Sequence, residues 1–454
     1  RIWVGDAVGT TPRRLTSDTR PREFMPAWSP DSRWIAYVTW TENGGHLWKV
    51  STEGGVPQRL SDTPALWADP VWTPEGDAVI ALRASLGAAA SLSAVGPGSA
   101  VPPNADIVSV PADGGAHRTI APSNGARFPH FGPATDALYL SGGTAGLIRF
   151  PLAGGESETV AMLNGPPADE LRISPDGRFV AVRVGSNVVR ARMPIGEAAG
   201  PVTLTPEGPP LTSVDATSLA WMPDGSSLLW TEGSRIGRAI TDGSAELNTA
   251  TLDVEVQRAT AVGSVVLQGV KLVTMRNDEV IERGDVVVTN GRIDWVGPTG
   301  SQPPPDGARV IDVSGRVIVP GFIDIHAHFG VRGELLEPEG AFAFSNLAFG
   351  VTTVRNPQAQ VDVFELADVI EADGVPAPRI VSTGPGLFGM LNLQSYEQTL
   401  TLLRRYRNEY GTHVLKSYLV GDRQQRVWVA QASRELGMMP TTEGGADTKA
   451  NLTH

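Results

Sequence analysis

Cysteine is absent from all 454 residues. Disulfides, thiolate metal sites and cysteine nucleophiles are excluded with it. Long hydrophobic runs are missing too: no stretch approaches the roughly 20 apolar residues of a membrane-spanning helix, so no membrane span is expected. Positive charge is outnumbered, with 37 Lys and Arg against 49 Asp and Glu, a formal net charge of −12. That balance argues against nucleic acid or an anionic lipid surface as partner. Avoidance of cysteine fits an oxidising compartment, so a periplasmic or extracellular location is expected. No signal-peptide pattern accompanies Arg1, and the chain is expected to be a fragment of a longer protein.

What is present, first of all, is repetition. One motif is a strand ending in Gly-Gly: "LWKVSTEGGVPQRLS" from Leu47, "DIVSVPADGGAHRTI" from Asp106 and "GLIRFPLAGGESETV" from Gly146. A second is a proline turn between apolar strands: "AWSPDSRWIAYV", "VWTPEGDAVIAL", "RISPDGRFVAV" and "AWMPDGSSLLW", with a weaker copy in "HFGPATDALYL". Its prolines, Pro30, Pro74, Pro133, Pro175 and Pro223, are spaced by 44, 59, 42 and 48 residues. Proline pre-sets the turn and Asp-Gly tolerates the positive φ of a tight hairpin. Repeats of about 40 to 45 residues, each with several short strands, predict propeller blades. The long spacing is assigned to a small-residue loop, "ASLGAAASLSAVGPGSAVPPN", from Ala84 to Asn104. The opening "RIWVGDAVGTTPRRLTSD" matches the end of a blade, so the propeller is expected to begin partway through one. His46, His117 and His130 fall on or near blade strands and are read as surface or packing residues.

These repeats resemble the propellers of the Tol-system periplasmic protein and of prolyl-oligopeptidase-like peptidases. They cover residues 1–252, for which an all-β propeller is expected. Residues 253–316 carry short alternating strands, a hairpin at Asn290-Gly291 and another expected around Ser314-Gly315. From residue 317 to 454, apolar strands ("VTTVR", "PRIVSTG", "HVLKSYL", "GMMPTTEGG") alternate with helical stretches, which predicts a parallel β/α architecture.

The chemistry is concentrated in "VPGFIDIHAHF", Val319 to Phe329. In an extended strand residues i and i+2 face the same way, so His326 and His328 share a side with Asp324, and Ala327 turns away. Two neutral imidazoles side by side are natural ligands for one divalent ion. The competing reading is a pair of hydrogen-bonded core histidines, the better choice for a single isolated His.

With "SGRVIVPG" before it, this stretch resembles the metal-dependent amidohydrolases. The resemblance implies a multidomain chain: the propeller, a small composite β-sandwich, then a truncated (β/α)8 TIM-type barrel whose first strand bears the two histidines. It implies a hydrolase of carbon–nitrogen bonds in amide, cyclic amide or peptide-derived substrates, with one or two divalent ions, zinc first. Lys416 sits where the family often has a carbamylated lysine bridging two metals, and Glu443 near a strand-five ligand. Asp324 is a candidate to orient an imidazole from behind. His413 lies on the opposite strand face from Lys416 and is not counted as a ligand; His454 is too close to strand five for the strand-six one. The family's general-base aspartate is expected beyond the C-terminus, and the fragment is expected to be inactive alone. A homo-oligomer is left open. The alternative is a propeller that binds a protein or peptide partner, with a non-catalytic barrel.

Overall fold

The computed structural model describes residues 1–5, 11–17, 21–41, 43–90, 101–165, 167–184, 187–194, 200–208, 210–212, 216, 218–232, 234–241, 248–252, 254–328, 341–358, 362–387, 393–417 and 420–441. The chain separates into two compact units. The first is built on Arg1–Glu255 with the segment Glu397–Glu409; the second on Val256–Gly330, Glu337–Tyr396 and Tyr410–His454. No helix among the described residues is long and apolar enough to cross a membrane.

The first unit is a series of antiparallel meanders. Five sheets begin at Arg22–Trp28, Leu66–Trp72, Arg127–His130, Glu170–Ile173 and Leu219–Trp221, each continuing through three further strands in chain order. This is the four-stranded blade of a propeller. The third sheet departs from the pattern: Val202–Leu204 joins Glu158–Leu163 in parallel and makes it five-stranded. Ahead of the five, Trp3–Val4 pairs antiparallel with Arg13–Arg14. Among its described residues, the stretch expected to be a loop between Ala84 and Asn104 includes a helical turn, Leu86–Ala90.

The proline turns work as their sequence predicts. Ser29 donates through Oγ to Asp31 at 2.6 Å, and Trp34 N donates back to Ser29 Oγ at 2.9 Å. The fourth sheet repeats this with Ser174, Asp176 and Phe179 at 2.6 and 3.0 Å. Gly76, Gly177 and Gly225 close their turns at φ of 73, 73 and 69°, but the first turn puts Ser32 there, at φ 58°. A left-handed conformation costs an L-residue about 1–2 kcal/mol, against the roughly 0.5–1 kcal/mol of chain entropy that glycine adds. Ser32→Gly is therefore expected to stabilise the first unit by about 0.5–1 kcal/mol, read as a higher urea midpoint at unchanged slope.

Successive sheets bury their faces against each other. Ala36, Val38 and Leu47 of the first pack on Trp67, Trp72 and Val79 of the second. Leu66, Ile80 and Leu82 of the second pack with Leu138, Leu140 and Phe150 of the third. The third and fourth meet through Tyr139, Leu147, Leu171 and Val180, and the fourth and fifth through Val188, Leu219 and Trp230. Each fully buried large side chain contributes about 1.5–3 kcal/mol, so these seams hold the repeats together.

Polar links cross the same seams. The first strands of sheets one to three each break register at an X-Pro step, where Met25, Asp69 and Phe128 take φ of 52, 49 and 59°. From its bulge, Asp69 accepts from Arg127 Nε at 3.0 Å and Nη2 at 2.8 Å, tying sheet two to sheet three. His130, 7% exposed, takes the amide of Ile173 on Nε2 at 3.0 Å and lies 2.9 Å from Phe128 O through Nδ1. It is a packing residue between sheets three and four.

The second unit opens with β1 (Ser264–Val273), β2 (Val280–Thr289) and β3 (Arg292–Pro298), an antiparallel run in the order β3-β2-β1. Asn290 and Gly291 make the β2–β3 hairpin with φ of 50 and 75°. The second expected hairpin is a correction. β4 (Arg309–Asp312) and β5 (Val317–Ile318) both pair with β1 in parallel, at Val265–Gln268 and at Lys271–Leu272. Ser314-Gly315 is thus a kink between two segments that run the same way along one partner, and no strand turns back on another.

Parallel strands then alternate with helices. β6 (Phe322–Asp324), α1 (Ala341–Ala348), β7 (Val351–Asn356), α2 (Asp362–Asp373) and β8 (Arg379–Ser382) form a three-stranded parallel sheet and its connections. α3 (Tyr396–Asn408), which belongs to the first unit from Glu397 on, comes next in the chain; β9 (Val414–Lys416), α4 (Arg423–Glu435) and β10 (Met439–Thr441) continue the alternation in the second, and β9 pairs with β10 in parallel. A parallel bridge from Leu387 to Ser417 joins the chain after β8 to the end of β9, so pairing follows chain order. α4 starts at a capping box: Asp422 accepts from Gln425 N at 2.9 Å and Gln425 Oε1 from Asp422 N at 3.1 Å.

Candidate functional site

The site is built where β6 ends. Regular pairing stops at Asp324 because its carboxylate turns back on the chain, and Oδ1 accepts the main-chain N–H of His326 at 2.9 Å. Local capping of this kind is what Asp offers when strand pairing ceases. The ladder resumes one step later, with Ala327 N donating to Arg355 O at 3.1 Å. Ala327 is buried, whereas His326 and His328 are exposed, as are residues 321–325 before them, so burial does not alternate along β6. The two imidazoles lie edge to face, centroids 5.2 Å apart and planes at 73°.

The other residues singled out in the sequence are placed as follows. Lys416 closes β9 at 2% exposure, and its carbonyl accepts from Leu387 N at 2.8 Å. It is the register partner of Thr441 on β10. Asp324 is exposed and holds the His326 backbone. His413 is exposed ahead of β9. Glu443 and His454 lie outside the described residues. Among the described residues no group of three or more His, Asp and Glu side chains is arranged to hold a metal. The structure thus brings the rings of His326 and His328 side by side, and places Lys416, buried, at the end of β9.

One side chain here escaped the sequence reading. Arg355, at the end of β7, donates from Nη2 to Thr441 Oγ1 at 2.6 Å and reaches Ile325 O at 3.5 Å through Nη1. Thr441 Oγ1 donates in turn to Leu415 O at 3.1 Å. This chain connects β7 with β10 and with the turn carrying the histidines. Burial lowers the Arg355 pKa from its ordinary value. The signal in the sequence was a lone charged residue closing the apolar run "VTTVR", which reads equally well as a solvent-facing strand end.

No family model matches the chain. Adenine deaminase from Paracoccus denitrificans (strain Pd 1222) is 37% identical over 126 residues, 28% of this chain and 20% of that protein. Imidazolonepropionase from Pseudomonas entomophila (strain L48) is 45% identical over 154 residues, 31% of this chain and 37% of that protein. The chain therefore spans well under half the length of the curated relatives it matches. TolB from Acinetobacter baumannii aligns in structure with a TM-score of 0.38 and 20% identity, over 53% of this chain and 59% of that one. Over somewhat less than a third of its length, the chain is homologous to enzymes of the amidohydrolase superfamily.

Proposed function

We propose that the protein is a metal-dependent hydrolase of carbon–nitrogen bonds in amide, cyclic amide or peptide-derived substrates. The observation that carries this is the exposed imidazole pair of His326 and His328, 5.2 Å apart at the end of a parallel strand. Ends of parallel β/α strands are where such enzymes assemble their sites. In this reading residues 1–252 are the propeller, 253–316 the composite β-sandwich and 317–454 the first part of a (β/α)8 barrel.

His326 and His328 would hold a divalent ion, zinc being the leading choice, and Lys416, as its carbamate, and Glu443 would be the further candidate ligands. Asp324 acts on the pair by fixing the His326 main chain, and Arg355 by pinning the Ile325 carbonyl beside it. A divalent ion bound there supplies an activated water and polarises the scissile carbonyl. The cysteine-free composition fits a periplasmic or extracellular setting.

The test is turnover. Intact protein loaded with zinc or manganese is assayed against dipeptides and cyclic amides, beside His326→Ala and His328→Ala. Metal-dependent release of amine by the parent, lost in both variants, is the expected result. Equal turnover in all three, or none with any metal and substrate, removes the reading.

A further inference from the structure

β7 and β10 are not neighbours: β8 and β9 stand between them in the order of pairing. In a flat sheet three strand spacings of about 4.8 Å would set them about 14 Å apart. Yet Arg355 Nη2 donates to Thr441 Oγ1 at 2.6 Å. The strands therefore curl, and the Arg355 side chain crosses their concave side at the strand ends. The same end holds the turn with His326 and His328: Nη1 is 3.5 Å from Ile325 O, and Ala327 N donates to Arg355 O at 3.1 Å.

The guanidinium at this spot is not used up by its contacts. It carries five N–H groups and a charge that persists at any working pH. Thr441 and Ile325 accept from it, both through neutral oxygens, and the second contact is at the long limit of a hydrogen bond. Among the described residues it has no carboxylate partner and no further hydrogen bond. Burial alone moves its pKa, downward, whereas a carboxylate at close range would raise it. Asp324, at the end of the neighbouring strand, is turned onto the His326 N–H instead. A half-buried cation with no anion against it is costly unless a ligand supplies the counter-charge.

The shape of the group narrows the ligand. A guanidinium fork matches a carboxylate, which accepts two parallel N–H bonds from it. Among amide substrates, a dipeptide or an N-acylated amino acid carries a carboxylate one carbon from the nitrogen of the scissile bond. Simple cyclic amides and internal peptide bonds carry none there.

We infer that Arg355 is the specificity residue of this site and holds the free C-terminal carboxylate of the substrate, so that dipeptides and N-acylated amino acids are taken in preference to amides without one. The inference rests on the hydrolase reading of the same strand ends. Thr441 is then a positioning residue. Its Oγ1 accepts from Nη2 and donates to Leu415 O at 3.1 Å, which fixes one arm of the fork and leaves the remaining N–H groups for the ligand.

The experiment compares L-alanyl-L-leucine with L-alanyl-L-leucinamide, by turnover of the zinc-loaded full chain and by calorimetric titration of the metal-free chain. The parent is expected to favour the acid by about 10- to 100-fold in kcat/KM, mainly through KM, and by about tenfold or more in Kd, the range for a hydrogen bond to a charged group. Arg355→Gln removes the charge but keeps an N–H for Thr441, and should bring the acid and the amide to within about threefold of each other. Arg355→Lys keeps the charge without the fork and should retain part of the preference. Each figure is a ratio of two ligands on one protein, so a general loss of folding or of metal cancels. Equal turnover of the two compounds by the parent, or a full preference in Arg355→Gln, overturns the inference and leaves the hydrolase reading standing. If neither compound is turned over, the titration decides: an acid preference lost in Arg355→Gln sustains the assignment while the hydrolase reading falls, and equal or absent binding overturns it.

Discussion

His326→Ala and His328→Ala are each expected to lower zinc affinity by at least about 100-fold. Replacing groups that merely orient a metal's ligands already costs about 10- to 100-fold, and a ligand itself counts for more. The double variant should fall little further than either single one. Two imidazoles act on one ion as a unit, and once one is gone the other alone holds it weakly, so the single losses are strongly non-additive. The geometry supports a shared ion because Ala327 between them is anchored inward by its bond to Arg355 O, leaving both rings on the outer side. His413→Ala is the control: this exposed histidine precedes β9 and should leave affinity unchanged. Competition titration with a chromophoric chelator reads the parent and all four variants. Parental affinity in either single variant, or losses that simply add, would show that the rings do not share an ion.

Much of this was legible in the sequence where the deciding interactions are local. The proline turns closed as read because Ser29, Asp31 and Trp34 hydrogen-bond within five residues of one another. The strand expected to carry both histidines ends at Asp324, before either ring is reached, and its residues are exposed on both faces. Failure came with distance. β4 and β5 looked like two arms of a hairpin because Ser314-Gly315 is good turn chemistry, but both strands are claimed by β1, more than forty positions earlier. Arg355 meets Thr441 across 86 positions, and nothing in "VTTVR" names its partner.

Acid should strike the first unit at His130 before it titrates most carboxylates. Burial, and secondarily the nearby Arg172 guanidinium, pushes the His130 pKa down from 6.5 to about 3. The neutral ring is needed as it stands, since Nε2 must remain an acceptor for Ile173 N while Nδ1 bonds Phe128 O. The unfolded chain therefore takes up the proton first. The contribution to stability is complete above pH 6.5 and is lost as pH falls toward 3. Two pH units below the unfolded pKa, at about pH 4.5, the loss amounts to roughly 2–3 kcal/mol, enough to shift a urea midpoint plainly. His130→Gln separates this from the general titration of acids. Its amide oxygen can accept from Ile173 but cannot be protonated in this range, so the variant should lose about 1 kcal/mol at pH 7 for the missing bond to Phe128. Between pH 6.5 and 4.5 its stability should then fall less steeply than the parent's, and the two curves should converge or cross. Parallel curves over that interval would mean that the histidine is protonated in place and that the seam between sheets three and four does not depend on its neutral form.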